Sequence, residues 1–377
     1  MRICFIHHPN DSYIRDRIGY FATNGHEVIS ISFGRDKSIS MPENVKVIRM
    51  RSNLICYNLL KRFMHAELIK HITKNYNVDI LHIVNVINGV YAKFSCSKKI
   101  VIENIGSDVI ITPNKYPILK YLYKHFYRYA DSVIQDSKLA QNHGIMYGAS
   151  EKFNKIIEYG INFNKFNTSV NKGRARNVLN ISDSQKMIFS SRGGYKQGAS
   201  WEETNSIYNL DIIIKSIPLV KKYFPDVCFV FSNSGDRSFS NAAAKLLSNL
   251  NVENNVVFTG RLDHNNEVPF YTKDADLVIS VPSTDSSPLS VYEAMACKTP
   301  VIISDLPWFR DKFDRERDLV VVPLKDFEKL AEAIIQVLSG QKTVDVDSAY
   351  EKVFNNINYS TENKKLERLY EHILAFC

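Results

Sequence analysis

Short apolar runs alternate along the chain with longer segments in which apolar residues recur at the spacing of an amphipathic helix. An unbroken apolar run of about four to eight residues is typical of a strand buried on both faces, and its alternation with helical segments favours a parallel sheet covered by helices. In the first part of the chain this pattern predicts strands over residues 2–7, 27–32, 79–84, 99–103 and 132–135, with helices over 57–74 and 118–129.

A polar stretch over residues 162–180, rich in Asn, Lys and Arg, interrupts the pattern, and a second alternating series follows it. That series predicts strands over 187–191, 228–232, 255–258, 277–281, 300–304 and 319–322, with helices over 209–223, 241–250, 289–296 and 326–338. The sequence therefore predicts two doubly wound α/β domains, residues 1–170 and 171–358, and a C-terminal helix over 359–377 that packs back on the first domain. Ligands of open parallel sheets bind beyond the carboxyl ends of the strands, so we expect the functional site in the cleft between the domains.

The composition is that of an ordinary globular chain, with 45% hydrophobic and 23% charged residues among 377. This balance excludes collagen-like and disordered classes. Six cysteines are scattered without a Cys-x-x-Cys pair, so we expect neither a disulfide framework nor a metal site, and a cytoplasmic location is the simplest. No uncharged run approaches the roughly 18–20 residues that span a bilayer, and no leader pattern precedes the first strand, so we expect neither a membrane span nor a signal peptide.

The positive charge is concentrated in the first part of the chain. Of the formal net charge of +8, residues 1–170 carry +10 and the remainder carries −2. Within this part, Lys120, Lys124 and Arg128 follow one face of the predicted helix among several tyrosines, a combination that suits an anionic membrane surface. The alternative is a helix packed on the sheet whose lysines extend into solvent, and no nucleic-acid recognition module is visible.

The most informative segment covers residues 280–305, SVPSTDSSPLSVYEAMACKTPVIISD. A buried strand ends near Pro282, and a polar loop leads to Ser287, which we expect to cap a helix whose first residue is Pro288. The amides at such a helix start suit a phosphate group. Glu293, farther along the helix, can then accept hydrogen bonds from hydroxyl groups beside that phosphate.

At this segment the sequence resembles the family 4 retaining glycosyltransferases, whose fold is the two-domain GT-B fold. Asp285 and Glu293 are separated by seven residues and followed by AMA and PVIISD, like the acidic pair of that family. Further matches lie in the same order along the chain: ADSVIQDS at 130–137, EYGINFNKF at 158–166, VVFTGRL at 256–262 and KDADLVIS at 273–280. The resemblance covers most of the chain.

The resemblance implies a donor site in the second domain. Glu293 would bind the ribose hydroxyls of a nucleotide sugar, and Asp285, where the family usually has Glu, would contact the transferred sugar. The remaining residues implied at the donor are Ser286, Ser287, Pro288 and Leu289 at the phosphates, Arg261 and Leu262 at the nucleobase, and Gly235, which either approaches the nucleotide or makes a turn.

A second segment, SSRGGYKQG at 190–198, follows the first strand of the second domain. A fixed arginine there stabilises the negative charge that develops on a departing diphosphate. By the resemblance Arg192 is the phosphate arginine and Lys196 its lysine partner. An insertion over 194–205 leaves a second alignment open, in which Tyr208 or Asn209 takes the place of that lysine.

The acceptor-side candidates lie in the first domain. His7 and His8 follow the first strand, where the family often has glycines that face the donor phosphates. Asp108 follows a later strand in the sequence IGSDV, and Ile105 stands where the family commonly has histidine. Asp108 either takes part in catalysis or caps a helix.

Together these features predict a retaining, metal-independent glycosyltransferase without a cofactor. The expected donor is a UDP- or GDP-sugar and the expected acceptor a hydroxyl of a saccharide or lipid-linked glycan. We expect it in the cytoplasm at the inner face of the membrane. The alternatives are a nucleotide-sugar epimerase or hydrolase of the same fold, and a non-catalytic binding subunit.

Overall fold

A computed structural model describes residues 1–8, 11–33, 41–50, 59–192, 200–232 and 237–376. The described residues form two compact units, one made of Met1–Gly160 with Tyr359–Cys377 and the other of Ile161–Asn358.

The elements of the first unit, up to Gly160, alternate between strand and helix. They are β1 (Arg2–His7), α1 (Ser12–Thr23), β2 (Glu27–Phe33), β3 (Val45–Met50), α2 (Leu59–Asn75), β4 (Ile80–Val84), a 3-10 helix (Val86–Phe94), β5 (Lys99–Glu103), α3 (Ser107–Ile110), α4 (Thr112–Lys115), α5 (Leu119–Tyr127), β6 (Ser132–Gln135), α6 (Lys138–Met146) and β7 (Asn154–Ile156).

The second unit repeats this alternation, and the chain then ends with a helix of the first unit. The elements are α7 (Arg174–Leu179), β8 (Met187–Ser190), α8 (Trp201–Tyr208), α9 (Leu210–Lys221), β9 (Cys228–Phe231), α10 (Arg237–Leu250), a 3-10 helix (Glu253–Asn255), β10 (Val256–Phe258), α11 (Val268–Asp274), β11 (Leu277–Ser280), α12 (Leu289–Ala296), β12 (Val301–Ser304), a 3-10 helix (Pro307–Phe309), β13 (Val320–Val322), α13 (Phe327–Leu338), α14 (Val346–Asn356) and α15 (Tyr359–Ala375).

Each unit contains one sheet in which all the strand pairs of the described residues are parallel. The strand orders are β3-β2-β1-β4-β5-β6-β7 and β10-β9-β8-β11-β12-β13. In both sheets the order grows outward in two directions from a central pair, β1 and β4 in the first and β8 and β11 in the second. This is the doubly wound arrangement that the sequence predicts.

Each predicted strand is present, with ends that differ by at most one residue. The pattern did not reveal β3 and β7, which lie at the edges of the first sheet. In β3 the apolar residues Val45, Val47 and Ile48 are interrupted by Lys46 and Arg49, and Val47 is exposed. Edge strands need less apolar surface, so their sequence signal is weaker.

The division between the units falls after Gly160, earlier than the predicted boundary at residue 170. Ile161 explains this difference, because its N–H donates to the carbonyl of Ile357 at 2.8 Å and it forms a parallel bridge with Asn358. Phe166, a few residues later, is buried against His264. The residues directly after Gly160 are therefore packed in the second unit.

The first sheet is covered on both faces. On one face the buried side chains come from α2, the 3-10 helix Val86–Phe94, α5 and α6. On the other they come from α1 and α15, with Leu366, Tyr370 and Ile373 of α15 packed among the strand residues. The C-terminal helix therefore completes the core of the first unit.

A buried cluster of charged and polar groups joins α1, the sheet and α15. Arg17 of α1 pairs with Glu103 at the end of β5, and its Nε donates to the side chain of Asn363 of α15 at 3.1 Å. Glu103 also accepts a hydrogen bond from His82 at 2.7 Å, and His82 contacts the hydroxyl of Tyr370. Burial alone would raise the pKa of Glu103, but Arg17 and His82 reverse this and hold it below its usual value.

We predict that Arg17→Ala destabilises the protein by about 3–5 kcal/mol, because it leaves Glu103 buried without its cation. Arg2→Ala is the matched control, since Arg2 pairs with Glu27 at an exposed site where such pairs contribute at most about 1 kcal/mol. Urea unfolding of both variants measures the difference. Similar midpoints for the two variants would contradict a stabilising role for the buried cluster.

Candidate functional site

The candidate site of the second unit lies where its sheet reverses its strand order. β8 and β11 are neighbours there, with Ile188 beside Leu277 and Phe189 beside Val278. Arg192 follows the end of β8, and the loop over 283–287 follows the end of β11. Because the two strands are parallel, both segments emerge from the same edge of the sheet. This edge is where doubly wound sheets bind ligands.

The loop after β11 leads into α12, whose bounds match the predicted helix over 289–296, although its cap differs from the expected one. Pro288 is the N-cap residue rather than the first helical residue, and no side-chain cap bond forms there. The proline carbonyl accepts from Val291 and Tyr292, so the first-turn N–H groups without an intrahelical partner include those of Leu289 and Ser290. Pro288 itself has no N–H and cannot donate to a phosphate.

Arg192 lies at this start of α12. Its Nε donates to Ser290 Oγ at 2.9 Å, and its guanidinium lies 5.3 Å from the ring centroid of Tyr208. The side chain is only 19% exposed. A fixed cation and the positive end of a helix dipole therefore occupy the same place, an arrangement that attracts anions.

The anion that meets Arg192 in this structure is Asp285. Its Oδ2 lies 2.7 Å from Arg192 Nη1, although the pair does not have the alignment of a hydrogen bond. Its Oδ1 accepts the N–H of Ser286 at 2.9 Å. The sequence assigned these two residues separate partners, and the structure brings them together.

Glu293 is buried on the second turn of α12, which rules out a role as a solvated surface residue. Its Oε1 lies 2.6 Å from Nε2 of His264. The sequence did not single out His264. Its proximity to Glu293 is set by the loop between β10 and α11 and leaves no local pattern in the chain.

The insertion after Arg192 contains the helix α8, which begins with a capping box between Ser200 and Glu203. It ends at Tyr208, whose ring lies beside Arg192. Asn209 follows and is buried, donating to the carbonyl of Val281 at 2.9 Å and accepting from Ser283 at 3.0 Å. Asn209 thus supports the loop after β11, while Tyr208 supports the arginine.

The other predicted donor residues are partly described. Arg261 is exposed and Leu262 is 9% exposed, directly after the left-handed Gly260. Ser286 is buried and Ser287 is partly buried in the loop before α12. Lys196 and Gly235 lie outside the described residues.

Two of the three acceptor-side candidates of the first unit are buried and hydrogen-bonded. His7 is fully buried, with Nε2 2.8 Å from Ser30 Oγ and Nδ1 2.9 Å from the carbonyl of His8, whereas His8 is exposed. Asp108 is buried and accepts the N–H groups of Val86 and Ile105, each at 3.0 Å. Asp108 therefore links two loops at the carboxyl edge of the sheet, whereas the N-cap of α3 is Gly106.

Two doubly wound parallel sheets in one chain are the architecture of the GT-B class of proteins. The family described as "Glycosyl transferases group 1" matches residues 202–352, and the family described as "Glycosyl transferase 4-like" matches residues 2–137. Both are glycosyltransferase families and their two models together match most of the chain, so the predicted family and fold class are confirmed.

Similar proteins include the alpha-monoglucosyldiacylglycerol synthase of Streptococcus pneumoniae, 24% identical over 92% of this chain and 78% of the relative. An Escherichia coli enzyme named UDP-Gal:alpha-D-GlcNAc-diphosphoundecaprenol alpha-1,3-galactosyltransferase is 21% identical over 57% of this chain and 53% of its own. Among solved structures, Anabaena HepE in complex with UDP and glucose has a TM-score of 0.80 at 14% identity, covering 99% of this chain and all of that one.

Two features are absent from the residues that the structure describes. These residues contain no group of three or more His, Cys, Asp or Glu side chains that could hold a metal ion. Nor does any helix among them have the length and apolar character needed to cross a bilayer.

We predict that His7 makes stability depend on pH. Burial lowers the pKa of His7 to about 4 from the ordinary 6.5, so its contribution is complete above pH 6.5 and is lost as the pH falls to 4. The loss amounts to about 3 kcal/mol. In His7→Gln this loss is absent, so urea unfolding should show the difference in stability between wild type and variant shrinking from pH 7 to pH 4.

His71→Gln is the control, because His71 is exposed on α2. We expect its difference from wild type to stay constant over the same range. A constant difference for His7→Gln as well would contradict the buried, neutral state of His7.

Proposed function

We propose that the protein transfers a hexose-type sugar from a nucleoside diphosphate sugar to a hydroxyl of a saccharide or lipid-linked acceptor, with retention of configuration and without a metal ion. UDP- and GDP-sugars are the expected donors. The observation that carries the proposal is the position of Arg192 at the start of α12, beside Asp285. In this proposal Glu293, buried on the second turn of the same helix, binds the ribose hydroxyls of the donor.

Arg192 supplies the charge stabilisation that the reaction needs. As the bond between sugar and diphosphate breaks, negative charge grows on the terminal phosphate, and a cation fixed nearby binds that charge more strongly than it binds the intact donor. Ser290 and Tyr208 hold the guanidinium in place before the donor arrives. The leaving phosphate then accepts the proton of the attacking hydroxyl, so no side-chain nucleophile is needed.

Asp285 has two consecutive partners in this scheme. In this structure it neutralises Arg192 at 2.7 Å. A diphosphate competes for the same guanidinium, and its arrival frees the carboxylate to accept hydrogen bonds from the hydroxyls of the sugar. The nucleoside diphosphate alone must displace Asp285 without offering those hydroxyls, so the pair favours the complete donor over the product diphosphate.

We predict that Asp285→Asn binds the nucleoside diphosphate roughly fivefold more tightly, since a partly exposed ion pair is worth about 1 kcal/mol. The affinity for the complete donor should rise less, because the sugar contact is weakened. Titration calorimetry with UDP, GDP and their glucose or mannose derivatives measures both. Arg192→Ala is the companion variant, and it should lower kcat about 100-fold while changing donor affinity less.

Several results would contradict the proposal. Weaker binding of the diphosphate to Asp285→Asn would exclude the competition, and equal losses of kcat and affinity in Arg192→Ala would exclude leaving-group stabilisation. Donor consumption without an acceptor would favour an epimerase or hydrolase, and no thermal shift with any nucleotide sugar would favour a binding subunit. Anomeric analysis of the product by NMR tests retention, and activity in EDTA tests metal independence.

The acceptor side of the proposal is a lipid-linked substrate at an anionic membrane. The name of the similar S. pneumoniae enzyme includes a diacylglycerol, and that of the E. coli enzyme includes a diphosphoundecaprenol. In this chain, α5 buries Tyr123, Phe126 and Tyr127 against the sheet, as expected for a packed helix. Its outer side nevertheless presents apolar residues to solvent.

Ile118 is 65% exposed, Tyr121 76% and Leu122 41%. These residues follow one stripe at i, i+3 and i+4, and the exposed Lys124 and Arg128 lie alongside. Apolar side chains bordered by cations match an anionic headgroup region, where each nearby cation contributes about 1 kcal/mol. We assign this surface of α5 to the membrane and place the enzyme at the cytoplasmic face.

We predict that Lys124→Ala with Arg128→Ala lowers the affinity for vesicles containing phosphatidylglycerol by more than tenfold, since two cations near the surface are removed. Vesicle co-sedimentation at low and high salt measures the effect, and added salt should weaken the wild type toward the variant. Pure phosphatidylcholine should bind both proteins weakly.

Lys222→Ala with Lys245→Ala is the matched control, because it removes two exposed cations from the second unit. This variant should bind vesicles like the wild type. Equal losses in the two double variants, or binding independent of salt, would contradict a membrane surface on α5.

A further inference from the structure

His264 contacts the carboxylate that the proposed function assigns to the ribose. Its Nε2 lies 2.6 Å from Oε1 of Glu293, and the carboxylate side chain is 3% exposed. A carboxylate only accepts hydrogen bonds, so Nε2 carries the proton and donates. Such a bond to a charged group is short and strong, and it fixes the direction in which the second carboxylate oxygen points.

The ring of His264 is itself held from the side of its own loop. Asp263 makes a closed turn, in which its side chain accepts the N–H groups of Asn265 at 2.9 Å and Asn266 at 2.8 Å. Its own N–H donates to Glu267 Oε2 at 2.6 Å. This turn restricts the backbone of His264, which lies within it.

A second segment supports the ring from another direction. Phe166 is 2% exposed, and its ring centroid lies 5.4 Å from that of His264. Phe166 is fixed by a turn in which its N–H donates to the carbonyl of Asn162 at 3.0 Å. Two separate segments of the chain therefore hold the imidazole of His264 against Glu293.

We propose that His264 is a positioning residue that aligns Glu293 for the ribose hydroxyls of the donor. The inference rests on the proposed function, because it needs a nucleotide in this site. A carboxylate on an unrestrained Glu side chain loses conformational freedom when it binds hydroxyls, and a carboxylate already fixed by His264 does not. His264 therefore acts on the ribose part of the affinity and leaves the phosphate and sugar contacts unchanged.

The test separates the ribose contact from the rest of the nucleotide. The Kd of the 2′-deoxy or 3′-deoxy analogue divided by the Kd of UDP gives a ratio that reports the hydroxyl contact alone. If GDP binds instead, the guanosine set gives the same ratio. In the wild type we expect the larger ratio to be roughly tenfold, as for a hydrogen bond to a charged group. Glu293→Ala should reduce it to about 1.

Two substitutions of His264 distinguish positioning from packing. His264→Phe keeps an aromatic ring against Phe166 but has no donor, and it should reduce the ratio to below about threefold. His264→Gln keeps an N–H donor and should retain most of the discrimination. The double variant His264→Phe with Glu293→Ala should show no loss of discrimination beyond that of Glu293→Ala alone.

Each other outcome has a definite meaning. Suppose that Glu293→Ala removes the discrimination, but His264→Phe either weakens the binding of UDP and of the deoxy analogues equally or leaves all these affinities unchanged. The positioning role of His264 is then overturned, and the ribose contact of Glu293 stands. If Glu293→Ala leaves the discrimination intact, the ribose assignment in the proposed function fails, and the inference about His264 fails with it.

Discussion

The parallel direction of the strands is the constraint on which both units depend. In the second unit it brings Arg192, after β8, and the loop over 283–287, after β11, to one edge of the sheet. β8 has four residues, a length of about 13 Å. Were the two strands antiparallel, that length would separate the two segments, and no ion pair between Arg192 and Asp285 could form. Strand direction therefore brings the two segments of the candidate site together, whichever side chains they carry.

Within that frame, electrostatics decides which residues meet. The start of α12 and Arg192 are both positive, and their juxtaposition is unfavourable unless an anion lies between them. Asp285 supplies it from the adjoining loop, while one of its oxygens is held by the next backbone N–H. Asp285 therefore balances these two positive groups from within the second unit.

Sequence reasoning recovered what depends on local pattern and missed what depends on distant contacts. Buried parallel strands are continuous apolar runs, so β1, β5 and β6 were predicted with their observed ends. The spacing of Asp285 and Glu293 was visible, but the partners of these residues were not, because Arg192 and His264 come from other loops. The cap of α12 was misplaced by one residue, since proline is compatible with both positions. Contacts between loops follow only from the folded sheet.

In the first unit, the buried titratable groups His7, Asp108 and Arg17 are either neutral or satisfied by a partner. At the carboxyl edge of its sheet, His7 is held neutral by burial and Asp108 is satisfied by backbone N–H groups. Deeper in the unit, Arg17 is neutralised by Glu103. The excess positive charge over residues 1–170 therefore does not come from these buried groups, and among the described residues it includes exposed side chains such as Lys124 and Arg128. A positive surface acts over about 10 Å at ordinary ionic strength and suits an extended anionic partner. The fixed arginine of the second unit, in contrast, suits one diphosphate.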